Sequence, residues 1–427
     1  MNSYFTPSAA VLLVASLLAA CSPSASLKMM ESNRPRDTNP PVLEGNIQKL
    51  VDGNNSFALE MYDSLRSENG NLILSPYSIS LALAMTYAGA RGETESQMAD
   101  TLRFGPTQDQ LHSSFNALDL ALQQQPLNLE EDQQPMQLNI ANAVWAEETY
   151  PFLQEFLDTI AVNYGAGIHL ADFIREFEAA RNDINAWVSE KTEDKINDLL
   201  PGGILNSYTR MVLVNAIYFK ADWLAQFDPE STHEAPFHLL DGSEIAVETM
   251  QDGKYLSYLR GNGYQAVELA YVGETAAMDL LVPDAGNFEA FESSLSRESL
   301  EEILSGMQPR SVQLGLPKFS FTKDLNLSDT LKGMGMLDAF DSDRADFSGM
   351  TGGKDLYISD VLHKAFIAVD EKGTEATAAT AVIMETTSAP LFDIVFQVDR
   401  PFIFVIRDTV NGQILFIGRV LNPSQSE

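Results

Sequence analysis

The chain has 427 residues, of which 45% are hydrophobic and 20% charged, the balance of an ordinary globular protein. Its formal net charge of −33 repels nucleic acid and anionic membrane surfaces, so we exclude both as binding partners. It contains one cysteine, Cys21, so no internal disulfide can form.

The first twenty residues have the features of an export signal. An apolar run over 9–20 is too short to span a bilayer but has signal-peptide length. It ends in LAAC at Cys21, which resembles the lipobox of bacterial lipoproteins, whose cysteine is lipidated. The first ten residues lack Lys and Arg, a departure from the usual signal peptide. An ordinary signal peptide or a chance cysteine at this position stays an alternative. We expect residues 1–20 to be removed and the exported protein to be lipid-anchored at the cell surface, outer membrane or periplasmic side, or extracellular if not lipidated.

Residues 21–45 are rich in Ser, Pro, Asn and charge, which predicts a flexible tether. No second linker or repeat follows, so residues 46–427 are predicted to form one domain.

Helices are predicted mainly in the first half. Ser75 and Pro76 supply an N-cap and a first helical residue, and the apolar stretch 79–90 that follows indicates a buried helix. The amphipathic segments 152–162 and 177–188 are also predicted to be helical.

Strands dominate the second half. Hairpins are predicted over 267–282 and over 402–417, where Asn411-Gly412 marks the turn. A strand is predicted over 356–369, and the apolar alternation slips after Pro317, which predicts a bulge or bend. The expected fold class is therefore mixed α+β with mainly antiparallel sheet.

The pattern carries no catalytic or metal signature. There is no HExxH spacing, GxSxG elbow, phosphate loop or dinucleotide fingerprint, so we expect no enzyme and no metal or other cofactor. The histidines are His112, His169, His233, His238 and His363.

Residues 371–401 are unusual as structure, with the sequence EKGTEATAATAVIMETTSAPLFDIVFQVDRP. The small residues in 374–381 suit helix, strand or loop equally. Long loops without secondary structure are uncommon and usually functional, so this segment is the main candidate for the working part of the protein.

This segment resembles the hinge of inhibitory serpins. The resemblance rests on Glu371, Gly373, Thr374, Glu375, Ala376, Thr377, Ala378, Ala379 and Thr380. Further serpin motifs stand in the family's order over residues 46–424: NLxLSPxSI at 71–79, INxWV at 184–188, VNAIYFKxxW at 214–223, LPKF at 316–319, FQVDRPFIFVI at 396–406 and GRV at 418–420.

The resemblance implies three mainly antiparallel sheets, eight or nine α-helices and an exposed reactive-centre loop in a monomer. It implies a suicide inhibitor: a protease cleaves the loop, is trapped as an acyl-enzyme, and the loop inserts into the main sheet.

The alternation of side chains favours insertion. The two charges, Glu375 and Glu385, share one face of an extended strand. The other face is small or apolar: Thr374, Ala376, Ala378, Thr380, Val382 and Met384. Because a buried unpaired charge costs several kcal/mol, this pattern favours an inhibitor over a non-inhibitory serpin that acts as a binding or carrier protein.

Counting seventeen residues from Glu371, as in inhibitory serpins, places the reactive bond at Thr387–Ser388, or one residue to either side. Residues 373–399 contain no Lys or Arg, so nothing pairs with the aspartate of a trypsin-like pocket. A small Thr387 favours an elastase-like or subtilisin-like target. Cleavage by a chymotrypsin-like enzyme at Met384, Leu391 or Phe392, or by a cysteine protease, stays open.

Other positions match the family with a structural alternative. The family's shutter, a polar cluster that controls strand separation, would comprise Ser75, Ser78, Asn215 and His363, which could equally be satisfied core polar groups. Trp223 matches the breach, where insertion begins, or is a core aromatic. Residues 113–132 contain no Lys or Arg, so we expect no glycosaminoglycan partner.

Overall fold

The computed structural model describes residues 27–124, 136–374 and 392–426. The predictions for Cys21, for Glu375 to Thr380 of the hinge and for the bond Thr387–Ser388 lie outside these ranges.

The described ranges contain ten α-helices, and none of these is long and apolar enough to cross a membrane. They are α1 (Asn46–Leu65), α2 (Pro76–Tyr87), α3 (Gly92–Thr101), α4 (Gln108–Leu122), α5 (Gln154–Tyr164), α6 (Phe173–Lys191), α7 (Phe288–Ser294), α8 (Arg297–Gly306), α9 (Ser328–Gly333) and α10 (Ser348–Thr351).

Sixteen strands are found in the same ranges: β1 (Met29–Met30), β2 (Leu72–Leu74), β3 (Gln137–Glu147), β4 (Ile168–Ala171), β5 (Met211–Asp222), β6 (His233–His238), β7 (Glu244–Arg260), β8 (Tyr264–Ala270), β9 (Ala276–Pro283), β10 (Gln308–Pro317), β11 (Phe319–Asn326), β12 (Asp360–Val369), β13 (Gly373–Thr374), β14 (Ile394–Gln397), β15 (Phe402–Asp408) and β16 (Ile414–Val420).

The strands form two hydrogen-bonded sheets. The main sheet has the order β1-β4-β3-β5-β13-β12-β11, and the second has the order β14-β10-β7-β8-β9-β15-β16-β2, with β6 on β7. The resemblance implied three sheets. Two are found among the described residues because β7, at 17 residues, pairs with both β8 and β10 and so joins what would be separate sheets. The mixed α+β fold class is confirmed, and short helices bring the number of helices among the described residues to ten instead of eight or nine.

Helix α2 lies between the sheets, in contact with β3 and β5 on one side and β16 on the other. Every residue of α2 is buried, as the apolar stretch predicted. Its N-cap is Ser75, whose hydroxyl accepts a hydrogen bond from the backbone N–H of Ser78, and Pro76 is the first helical residue. The helix start predicted from Ser75-Pro76 is confirmed.

The predicted bend at Pro317 is confirmed. Strand β10 ends at Pro317 in the second sheet and β11 begins at Phe319 in the main sheet. The phase slip therefore marks the point at which the chain passes from one sheet to the other.

The segment predicted as a flexible tether differs from the prediction. Met29 and Met30 add β1 to the outer edge of β4, and Arg36 forms an ion pair with Asp119 at 2.6 Å. Residues 28–37 therefore lie on the domain surface, because Lys28, Ser32 and Arg36 find side-chain partners there that composition does not reveal.

Candidate functional site

The centre of the main sheet is an unusual strand pair. Strands β5 and β12 run parallel, with Val212 to Tyr218 opposite Asp360 to Phe366. Beyond this pairing the two strands separate, and β13 lies between them, antiparallel to both. The chain that leads into residues 375–391 has therefore already entered the sheet at this end, which we call the hinge end.

Among the described residues of the hinge, Thr374 lies furthest into the sheet. It is fully buried, opposite Ala221 on β5 and Val369 on β12. Its hydroxyl lies 2.7 Å from the hydroxyl of Tyr271, which is also buried. Burial raises the pKa of Tyr271, so this contact is between two neutral groups.

Gly373 fits where no other residue would. A Cβ at this position would lie 2.0 Å from the carbonyl oxygen of Ala221. The glycine therefore permits the close backbone approach with which β13 enters between its neighbours.

Trp223 holds the turn that precedes β13. Its ring is buried and stacks on Tyr271, with centroids 4.6 Å apart and planes at 12°. Its indole N–H donates to the carbonyl of Asp370 at 3.0 Å, and its backbone N–H donates to the carbonyl of Lys372 at 2.7 Å. The two interpretations of Trp223 thus overlap, since a core aromatic lies at the point where the loop enters.

Glu371 is anchored by two partners that the sequence did not reveal. Its carboxylate lies 3.1 Å from the ammonium of Lys318 and accepts a hydrogen bond from the Thr232 hydroxyl at 2.8 Å. Burial acts to raise the pKa of this carboxyl, but its hydrogen bonds and Lys318 together hold that pKa below its usual value. Lys318 is part of the LPKF motif, but nothing in that motif indicates its partner.

The structure brings Ser75, Ser78, Asn215 and His363 together beneath the main sheet. The backbone N–H of Ser75 donates to His363 Nε2 at 3.3 Å, so His363 Nδ1 carries the proton that it shares with Asn215 Oδ1. The hydroxyl of Ser75 donates to the carbonyl of Leu415 at 2.7 Å, and the Asn215 amide donates to the Ser78 hydroxyl at 2.5 Å.

Asn142 is a fifth member that sequence reasoning missed. It lies opposite Asn215 on β3; its side-chain oxygen accepts from the Asn215 amide, and its own amide donates to the carbonyl of Ser78 at 3.0 Å. The one available signal was an asparagine within the largely apolar stretch 140–146. The network thus connects α2 with the three adjacent strands β3, β5 and β12.

This network is uncharged. His363 is fully buried, and burial lowers its pKa to about 3, so the imidazole is neutral near pH 7. Within the described ranges, no cluster of three or more His, Cys, Asp or Glu side chains is arranged to hold a metal ion. The network therefore links α2 to β3, β5 and β12 through hydrogen bonds between uncharged groups.

Comparison with known proteins agrees with this architecture. The family described as Serpin (serine protease inhibitor) matches residues 52–423. The leukocyte elastase inhibitor of Xenopus laevis is 38% identical over 376 residues, covering 86% of this chain and 97% of that protein.

Two solved structures show the same fold. The thermophilic serpin tengpin in its native state has a TM-score of 0.79 and 30% identity, covering 92% of this chain and 97% of that one. Human thyroxine-binding globulin in complex with thyroxine also has a TM-score of 0.79, with 29% identity, covering 89% of this chain and 100% of that one.

The mixed fold, the family match over most of the chain and these similar structures define a class that contains serine protease inhibitors and thyroxine-binding globulin. The chain belongs to the serpin family.

Proposed function

We propose that the protein is a suicide inhibitor of an elastase-like or subtilisin-like serine protease. The observation that carries the proposal is β13, which is already paired with β5 and β12 in a register that the rest of the loop can follow. The protease serine would attack the Thr387 carbonyl, an ester would form, and the bond to Ser388 would break as its nitrogen takes a proton and becomes a new amino terminus.

Insertion past β13 requires no change of register. Each further residue of the loop would move one position down both neighbouring strands from the pairs that Thr374 makes with Ala221 and Val369. Six residues on, Thr380 would lie between Asn215 and His363, which are themselves opposite one another. The two registers therefore agree along the whole path.

The same geometry gives insertion a driving force. The loop would replace the parallel pairing of β5 with β12 by two antiparallel ladders, and antiparallel pairing is the more stable per residue. The small or apolar face of the loop would point to the same side as Thr374, towards the core between the sheets.

The alternative, a binding or carrier serpin, has a precedent in thyroxine-binding globulin, whose structure is similar. A panel of elastase-, subtilisin-, chymotrypsin- and trypsin-like proteases separates the two functions. An inhibitor gives a covalent complex on denaturing gels, larger than either partner, with elastase- or subtilisin-like enzymes and none with trypsin. Cleaved chain alone with every protease would overturn the proposal.

The register yields a prediction for Thr380→Val. In the inserted state Thr380 would separate His363 from Asn215, and its hydroxyl would offer a hydrogen bond in place of the one that these two side chains make with each other. Without that hydroxyl, buried polar groups would lack a hydrogen-bond partner, which lowers the free energy of unfolding by about 1–3 kcal/mol for each group. We expect the loop-cleaved form of Thr380→Val to unfold at a lower temperature than the cleaved parent protein, as measured by circular dichroism.

Thr377→Val is the matched control, because alternation places residue 377 on the other face of the strand. Its cleaved form should unfold at the temperature of the parent. Equal unfolding temperatures for the two variants would show that the register does not continue as far as Thr380.

We further propose that the exported protein is anchored through lipid on Cys21. The supporting observation is the LAAC sequence that ends an apolar run of signal-peptide length. Cys21→Ala should move the protein from the membrane fraction to the soluble fraction without loss of inhibition, measured by fractionation and complex formation. A variant that stays with the membrane would contradict the anchor.

A further inference from the structure

Residues 28–37, which we call the strap, are held to the domain at several successive points. At the first, β1 pairs with β4, and the N–H of Leu170 donates to the carbonyl of Lys28 at 2.8 Å. The side chain of Lys28 also pairs with Glu148. On α5, Asp158 accepts a hydrogen bond from the hydroxyl of Ser32 at 2.5 Å.

The last contacts are the strongest. The guanidinium of Arg36 donates to Asp119 at 2.6 Å and to Asn116 at 2.8 Å, both on α4. Asn116 also donates to the carbonyl of Asp37 at 2.7 Å. The Arg36 and Asp119 side chains are only 22% and 12% exposed, so their ion pair is less screened than a surface pair.

The strap enters at a definite end of the main sheet. Met29 lies opposite His169, His169 opposite Trp145, and Trp145 opposite Val212. Val212 is near the start of β5, whereas the hinge residue Gly373 lies opposite Asp222 at its end. Ten residues of strand separate these levels, or about 33 Å. We call the start of β5 the entry end of the domain.

The direction of the strap is also defined. Strand β1 is antiparallel to β4, and β4 is parallel to β3. Because β3 is antiparallel to β5, strand β1 runs in the same direction as β5. The chain therefore runs from the entry end towards the hinge end as it passes from Lys28 to Arg36. Residues before Lys28 connect to the domain at the entry end.

The connection to Cys21 is short. Six residues separate Cys21 from Lys28, and seven extended steps reach at most about 25 Å. A free tether over 22–45 would instead reach about 80 Å and allow any orientation. The strap thus shortens the free chain between the anchor and the domain, and so restricts the orientations that an anchored domain can adopt.

We propose that the strap orients the anchored protein, with the entry end towards the membrane and the hinge end, with its reactive loop, directed away from it. This inference rests on the lipid anchor proposed above. The net charge of −33 supports it, because repulsion from anionic lipid opposes a domain lying flat on the surface. A protease carried along the sheet by the inserting loop would finish on the membrane side.

Two tyrosines of equal exposure provide matched probes. Tyr208 is 76% exposed and lies three residues before β5, at the entry end. Tyr255 is also 76% exposed, and the neighbouring Lys254 donates to the carbonyls of Ala225 and Gln226, just past the other end of β5. In lipidated full-length protein the Cys21 thiol is consumed, so Tyr208→Cys and Tyr255→Cys each offer one site for a dye.

The measurement is energy transfer from each dye to headgroup-labelled acceptor lipid in phosphatidylcholine vesicles. We expect transfer to be several-fold larger from position 208 than from position 255. A Gly/Ser spacer of twenty residues inserted between Ser26 and Leu27 should abolish the difference.

Three outcomes would overturn the inference at distinguishable points. Equal transfer from the two positions refutes the orientation alone. A difference that survives the spacer shows that the short connection is not its cause. A parent chain that takes up dye at Cys21 and stays off vesicles has no lipid anchor, so the anchorage fails and the orientation fails with it.

Discussion

Replacing Thr374 by arginine is expected to convert the inhibitor into a protease substrate. Thr374 is fully buried between β5 and β12, with its hydroxyl 2.7 Å from that of Tyr271. An arginine there would have to lose its hydration on entering the sheet, which costs several kcal/mol. Because each 1.4 kcal/mol or so is a factor of ten in rate, trapping should fall about a hundredfold or more relative to release of cleaved chain.

The test uses whichever protease forms a complex with the parent protein, and compares complex and cleaved chain on denaturing gels. Glu375→Arg is the matched control, because alternation places residue 375 on the opposite face. It should keep forming the complex. If Thr374→Arg also traps the protease, our assignment of the buried face is wrong.

Acidification should destabilise the native form, because protonation of His363 is disfavoured in the folded protein. Burial lowers the pKa of this histidine from 6.5 to about 3. Between these values the unfolded chain binds the proton and the native protein does not, so the free energy of unfolding falls as pH falls. The slope is ~1.4 kcal/mol per pH unit for one group, or about 2 kcal/mol between pH 6.5 and 5.

Other buried groups also change the free energy of unfolding over the same pH range. Burial also lowers the pKa of His112, to about 4, which adds to the loss of stability. Burial raises the pKa of Asp279 to about 6 against the opposing effect of Arg407, so its protonation acts in the opposite sense. The contribution of His363 must therefore be isolated by comparing variants.

The measurement is the change in denaturation midpoint of the native form between pH 7.5 and 5. His363→Gln should show a smaller change than the parent protein, because the variant lacks the titrating ring. His238→Gln, at a side chain that is 50% exposed, should behave as the parent does. An unchanged pH response in His363→Gln would show that His363 is not responsible.

Two features of the hinge differ in whether they could be predicted from the sequence: the face on which Thr374 lies, and its position inside the sheet. Alternation assigned Thr374 to the buried face because strand periodicity is a local property, readable from residue types alone. That Thr374 is already inside the sheet was not predictable, because it depends on the separation of β5 and β12 at their hinge end.

The polar network divides in the same way. The resemblance assigned Ser75, Ser78, Asn215 and His363 to the family's shutter, and the structure brings all four together. Asn142 was missed because its partner Asn215 is 73 residues away and only the pairing of β3 with β5 brings them into contact. The same reason applies to Lys318 and Glu371, which lie 53 residues apart.

The amino-acid sequence by itself determined the serpin fold, the helix that begins at Ser75-Pro76, the bend at Pro317 and the absence of Lys and Arg from residues 373–399. The serpin fold follows from the resemblance of the chain's motifs to those of a known family, and the other features follow from local propensities, periodicity and composition. Only the tertiary structure decided that the hinge has entered the sheet, that Lys318 holds Glu371, and that residues 28–37 form a strap at the entry end. Each of these depends on contacts between segments that are distant in the chain. The free energy of an ion pair or of a buried hydroxyl depends on its partners, and local sequence does not specify those partners.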